Sequence, residues 1–308
     1  MNLLRGIFPV LFTPFDTNGQ IDADSLRRVV RFELEGGVNG LGVNGFASEA
    51  YKLSDAERLH NVEIVAAEVA GSAPLIVGMA PGSLETAIEL ANLYAPFNPA
   101  ALMTLPPSVM NYDESALVDF YVALGDASPA PIMVQQSPHY PGYSAGGLSV
   151  DSLAEIAARC ANVRYFKIEG PGSPARVAEL YQRVDHAQVT LFGGVGGIAL
   201  QDELRAGAAG LLPGVGFNEF FVRVWAHWEQ GETDIANSIL QTAQPLVEAV
   251  SGHGHEHSLH ARKYLMQRAG IITHATVRRP MAKLNTDALE ALGKLVDTLG
   301  LRISRGNL

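Results

Sequence analysis

One cysteine, Cys160, is the whole thiol content of this 308-residue chain. An intramolecular disulfide framework or a thiolate metal cluster needs more, so both are excluded, and a reducing cytoplasmic compartment is expected. Positive charge is scarce too: Lys+Arg 22 against Asp+Glu 32 leaves a net charge of −10. That balance argues against nucleic acid or an anionic membrane as a partner. No apolar run approaches the ~18 residues that span a bilayer. The N-terminal stretch from Met1 to Phe15 is apolar, but Arg5, Pro9 and Pro14 interrupt it and no small-residue cleavage site follows. It is expected to be a buried strand and not a leader. Charged residues are few, at 18%, whereas 47% of the chain is hydrophobic. A core of good size can form, and a disordered chain is excluded.

Short apolar runs alternate with longer segments of helical period. The expected strands are Ile7–Phe12, Gly40–Asn44, Leu75–Met79, Ala101–Leu105, Ile132–Gln135, Val163–Ile168, Val189–Phe192 and Gly210–Leu212. Their spacing is that of strand–helix units, and their apolar character on both faces suits a parallel sheet covered by helices. Between them, Ser54-Asp-Ala-Glu57 reads as a capping box, followed by Leu59, Val62, Val65 and Val69 at helical spacing. Further helices are expected over Ser83–Tyr94, Glu114–Leu124, Ser149–Cys160, Ser173–Val184 and Ile198–Ala206. Eight such units predict an α/β fold, a (β/α)8 TIM barrel over residues 1–230. After that the strands stop. Helices over Thr233–Val250, Leu259–Arg268 and Thr286–Leu299 form a C-terminal extension, residues 231–308, packed on the barrel as a single structural unit, with Ser251–His257 as a loop.

In such a barrel, chemistry sits at the C-terminal ends of the strands. Those ends offer Thr13, Gly45–Glu49, Gln135, Gln136, Lys167, Glu169, Gly193 and Gly194. Lys167 lies near the end of a largely apolar strand, Val163-Arg-Tyr-Phe-Lys-Ile168. Burial favours the neutral amine, which is nucleophilic and forms imines with ketones. The competing possibility is that Lys167 turns outward and pairs with Glu169 or Glu155.

The chain resembles the dihydrodipicolinate synthase / N-acetylneuraminate lyase family of barrels along nearly its whole length. The resemblance is carried by Gly6-Ile-Phe-Pro-Val-Leu-Phe-Thr-Pro-Phe15, by the segment from Gly45-Phe-Ala-Ser-Glu49 to Arg58, and by Pro131-Ile-Met-Val-Gln-Gln-Ser-Pro138. Tyr165-Phe-Lys-Ile-Glu169 and Phe192-Gly-Gly194 complete it. It implies that Lys167 forms a Schiff base with pyruvate or another 2-oxo acid, with no other cofactor and no metal. It also implies a homo-oligomer, a dimer or tetramer. By the same resemblance Thr13, Phe46, Ala47, Ser48, Glu49, Tyr140, Gly193 and Gly194 fall at substrate-binding positions, and Gln135 at a catalytic one.

The departures are informative. The family's G-[ST]-T-G-E turn reads Gly45-Phe-Ala-Ser-Glu49 here, so Phe46 and Ala47 replace two hydroxyls; a shifted alignment would bring in Asn44. The strand-five Tyr-Asn-x-Pro reads Gln135-Gln-Ser-Pro138. Glutamine cannot move a proton, but it can orient a carboxylate or a water. The strand-four tyrosine pair falls on Pro107 and Ser108, and the synthase arginine on Tyr140. Dihydrodipicolinate synthase activity proper is therefore not expected. A class I aldolase or dehydratase is, and a binding-only protein that has lost turnover is the alternative. His139, Tyr140, Tyr143, Glu49 and Tyr51 are candidates for the missing proton relay.

Other features read more plainly. Gly40-Leu-Gly-Val-Asn-Gly45 matches G-x-G-x-x-G, but its first half lies within a strand and no helix opens at its third glycine, so a dinucleotide site is not expected. His253–His260 lacks the spacing of helix-borne zinc sites and reads as a polar loop. Trp225 and Trp228 read as core or subunit contact, and Arg278-Arg279 as a surface turn.

Overall fold

The computed structural model describes residues 3–140, 142–143, 147–281 and 285–304. Strands β1 (Gly6–Ile7), β2 (Leu41–Val43), β3 (Leu75–Met79), β4 (Ala101–Thr104), β5 (Ile132–Gln136), β6 (Val163–Ile168), β7 (Thr190–Phe192) and β8 (Gly210–Leu211) alternate with helices. The helices are α1 (Ala23–Glu35), α2 (Asp55–Val69), α3 (Leu84–Tyr94), α4 (Glu114–Ala127), α5 (Val150–Arg159), α6 (Ser173–Tyr181), α7 (Leu200–Arg205) and α8 (Glu219–Glu229). That is the element order of a (β/α)8 barrel. Three more helices follow: α9 (Thr233–Ser251), α10 (His255–Arg268) and α11 (Thr286–Leu299).

The described chain divides into two compact units that interleave along the sequence. One holds Met1–Gly6, Pro74–Val195 and Ala199–Leu212. Its strands β3 to β7 pair in sequence order, all parallel, with Gln135 beside Lys167 and Lys167 beside Phe192 in the register. Every residue of β3, β4, β5 and β7 is buried, which explains the unbroken apolar runs. The other unit holds Ile7–Ala73, Gly196–Ile198 and Pro213–Leu308.

Local signals account for several boundaries. Ser54 accepts from the Glu57 amide while Glu57 reaches back to Ser54, so the capping box forms. Asp22 caps α1 by accepting from Ser25, a start that the hydrophobic pattern did not announce. The first expected strand is the main difference. Its regular part is Gly6–Ile7, and Val10 makes single bridges to Gly42 and Gly214. Pro9 has no N–H and breaks the ladder between them. Met1, at the head of that expected stretch, lies outside the described residues. The expected loop Ser251–His257 is also shorter, because α9 runs through Ser251 and α10 begins at His255. No described helix is long and apolar enough to cross a membrane.

Candidate active site

Lys167 lies in the buried strand β6 and is itself 5% exposed. It does not pair with Glu155, which binds Arg159. Its Nζ is 3.1 Å from Glu169 Oε1, two residues on. Glu169 is unusually well supplied with donors. Its Oε2 accepts from Gln135 Nε2 at 2.9 Å and from Ser137 Oγ at 2.5 Å, and its Oε1 accepts from the Val195 amide at 3.1 Å. Burial alone pushes this carboxyl upward. The Lys167 ammonium leads the opposing influences, followed by Ser137, the Val195 amide and Gln135, and together they hold it at about 2. Gln135 therefore orients a carboxylate, and that carboxylate is Glu169.

The two glycines after β7 are explained by space. A methyl group on Gly194 would lie 2.5 Å from Glu169 Cγ, and one on Gly193 would lie 2.7 Å from Glu203 Cδ. Each glycine thus admits one carboxyl group. Gly194→Ala is expected to displace Glu169 and cut turnover at least tenfold while the fold persists, with a circular dichroism spectrum and melting curve to confirm folding. Unchanged turnover in that variant would show that the Glu169 position is not critical.

His139 borders the same group. Its ring packs on Tyr140 at 4.3 Å between centroids, and burial lowers its pKa while Glu169, Lys167 and Arg176 act on it electrostatically. A neutral imidazole results at physiological pH. Arg176 Nη2 donates to the Glu169 carbonyl. Ser137, Ser173 and Glu203 are additions from the structure. Ser137 stood next to the glutamine pair in sequence, whereas nothing in the spacing marked Glu203.

A second cluster lies in the other unit, around the Gly45–Glu49 turn. Phe46–Ser48 form one turn of 3-10 helix, and Glu49 follows in the left-handed region at φ 55°. Thr13 Oγ1 donates to the Ser48 carbonyl at 2.7 Å, and Ser48 Oγ donates to the Leu11 carbonyl at 2.5 Å. Asn61 Nδ2 donates to Thr13 Oγ1 at 2.8 Å. The hydroxyl protons of Thr13 and Ser48 are thus spent on shaping the turn. Asn44 Nδ2 is likewise used, on the Arg58 carbonyl at 2.9 Å. Ala47 is half-buried in the turn.

Glu49 is fully buried and anchors a charge network. Lys263 Nζ lies 2.5 Å from its Oε1 and donates also to the Thr276 carbonyl at 2.8 Å. Lys52 Nζ at 3.3 Å and the Arg278 amide at 3.0 Å reach Oε2. Burial pulls Lys263 down to about 8 against the attraction of Glu49, so it remains charged at neutral pH. Arg278 is not a bare surface residue. It binds both oxygens of Glu57 and packs on Phe15 at 4.5 Å. Phe46, Tyr51 and His255 form an aromatic trio with centroids 5.8 to 6.3 Å apart. Burial, with Glu256 and Glu49, raises the Tyr51 phenol well above its ordinary value, so Tyr51 is a poor proton relay. Among the described residues no group of three or more His, Cys, Asp or Glu is arranged to hold a metal ion.

Comparison with known proteins settles the class. The chain superimposes on dihydrodipicolinate synthase from Rhodopseudomonas palustris with a TM-score of 0.84 over 96% of this chain and 99% of that one, at 24% identity. The enzyme from Thermotoga maritima gives a TM-score of 0.87 over 97% and 99%, at 22% identity. The fold is therefore the TIM barrel with a C-terminal helical extension. The sequence model of the Dihydrodipicolinate synthetase family matches residues 3–299, and the chain belongs to that family. L-2-keto-3-deoxyarabonate dehydratase of Azospirillum brasilense is 31% identical over 304 residues, 97% of this chain and 96% of the relative. N-acetylneuraminate lyase of Citrobacter koseri is 31% identical over 217 residues, 68% of this chain and 66% of the relative. Lyases and dehydratases are thus the enzymes this chain is related to.

Proposed function

We infer that the protein is a class I lyase that dehydrates a 2-keto-3-deoxy sugar acid through a Schiff base on Lys167. The observation that carries this reading is the buried Lys167–Glu169 pair at 3.1 Å, with Gln135 and Ser137 gripping the far oxygen of the carboxylate. A carboxylate stands beside the lysine in a family whose usual tyrosines are missing here. The near-full-length similarity to a 2-keto-3-deoxy acid dehydratase supports the choice of dehydration over aldol cleavage.

Chemically, the ammonium of Lys167 gives up a proton, and Glu169 Oε1 is the acceptor within reach. That transfer removes the strongest of the influences holding Glu169 low, so the carboxyl becomes a better proton carrier as the amine is unmasked. The amine adds to C2 of the substrate, Glu169 returns its proton to the carbinolamine hydroxyl, and loss of water leaves the iminium and the free carboxylate. A proton leaves C3 to Glu169, and the electron pair flows into the iminium to give the enamine. The enamine expels the C4 hydroxyl, which takes up the proton and departs as water. Hydrolysis then frees Lys167 and the product. The imine is the electron sink, so no further cofactor is needed. The protein works in the cytoplasm as a homo-oligomer acting on a small anion.

The test is direct. Pyruvate and borohydride should leave a reduced adduct on Lys167 by peptide mass spectrometry, and 2-keto-3-deoxypentonates should lose water. An adduct with no turnover on any such acid would instead favour a binding-only protein. Glu169→Gln is expected to lower kcat by about 10²- to 10⁴-fold with a smaller effect on adduct formation. Equal loss in both would place Glu169 in imine formation alone.

A further inference from the structure

Two carboxyl groups flank the Gly193-Gly194 turn, and they are provided for unequally. Glu169 has four donors: Lys167, Gln135, Ser137 and the Val195 amide. Glu203, on α7, has one. Its Oε1 accepts from Ser173 Oγ at 2.6 Å, and its Oε2 is buried with no hydrogen-bond partner. Glu203 is 1% exposed. A buried carboxylate with one neutral donor is costly, and a buried carboxylic acid with one hydrogen bond is much less so.

The groups that face Glu203 come from two elements. From β6 and the residue that follows it these are Lys167 and Glu169, and from the first turn of α6 they are Ser173 and Arg176. Gly193 closes the remaining side, where any side chain would overlap the carboxyl. Arg176 does not neutralise Glu203 by contact. Its Nη2 is used on the Glu169 carbonyl, and its Nε is buried without a partner.

We propose that Glu203 is a positioning residue for the Lys167 centre: while it carries its proton, Glu169 is the single anion beside the lysine, and loss of that proton turns the centre down. The proposal rests on the Schiff-base reading of Lys167. Burial, with the Glu169 charge adding to it, raises Glu203 to about 7 against Ser173, Lys167 and Arg176. Glu169 lies at about 2, so the two carboxyls are driven apart as acid and base partners are in other enzymes. Above about pH 7 Glu203 ionises. A second negative charge then favours the ammonium form of Lys167 over the nucleophilic amine.

The experiment has two arms. In the first, infrared difference spectra of wild type minus Glu203→Gln, without substrate, should show a protonated carboxyl band at pH 6 that fades as pH rises. Glu169→Gln should move that fading to lower pH, because it removes the neighbouring negative charge. Lys167→Met should move it to higher pH. In the second arm, borohydride trapping of pyruvate is followed from pH 6 to 9. Glu203→Gln should match wild type at pH 6 and exceed it about tenfold at pH 9, because it removes the second negative charge beside the amine. No protonated band, or a band indifferent to Lys167 and Glu169, overturns the proposal. So does a constant ratio of trapping rates, which is what a purely structural glutamate would give. If wild type forms no adduct at all, the Schiff-base reading fails, and the infrared arm still decides whether Glu203 holds a proton coupled to Lys167.

Discussion

Lys167→Met should leave a folded protein that forms no borohydride-stable adduct and turns over its substrate on the order of 10⁴-fold or more slowly, the scale seen when a covalent nucleophile is removed. Methionine preserves the volume of the side chain but not its charge. Glu169 then loses its ionic partner while keeping Gln135, Ser137 and the Val195 amide. Those three donors are why the variant should fold, although loss of one member of a buried pair costs stability. The carboxyl of Glu169 should rise from about 2 toward the range burial alone would set. Substantial activity in a folded Lys167→Met protein would remove the imine from the mechanism.

The second large effect concerns stability. Lys263→Met should lower the unfolding free energy by about 3–5 kcal/mol, the usual result of stripping one partner from a buried ion pair. The side chains of Lys263 and Glu49 are both fully buried, 2.5 Å apart. The ammonium also sits over Phe15 at 4.5 Å and Phe12 at 5.6 Å, so little water is available to replace it. Glu49 would keep Lys52 and the Arg278 amide at longer range. Adding Glu49→Gln should recover much of the loss, because the orphaned charge is then gone. Urea unfolding followed by tryptophan fluorescence measures both. A loss under about 1 kcal/mol in the single variant would mean that the pair is solvated in solution.

Much of the fold was legible because burial on both strand faces leaves long apolar runs with few exceptions. Leu75–Met79 and Val163–Ile168 coincide with the expected strands. The second of these runs carries two charges, Arg164 and Lys167, and the place of Lys167 near the C-terminal end of the strand singled it out. β1 was overread because the apolar pattern of Ile7–Phe12 continues through Pro9, and hydrophobicity does not register a missing N–H. α10 began earlier than expected because His255, Glu256 and His257 carry no apolar period, and its buried face includes Arg262 and Lys263. A buried cation reads in sequence as a surface residue until its partner is known. Lys263 finds Glu49 across 214 positions, and Glu203 finds Ser173 across 30. Neither separation has a period or a motif, so tertiary structure alone reveals them. The glycines Gly193 and Gly194 were visible, and so was Glu169, but Glu203 and the need of each glycine to admit a carboxyl were not.

The Glu49 network also bears on how the chain is made. Glu49 belongs to the second strand–helix unit to emerge during synthesis, yet its charge partners are Lys52, Lys263 and the amide of Arg278. Until residue 278 has left the ribosome, a carboxylate destined for full burial has only a neighbouring lysine to meet it, and Phe12 and Phe15 lack the cation that covers them. The charge network around Glu49 is therefore complete only once α10 and Arg278 are in place. Shortening the chain before α10 removes the means of closing its beginning.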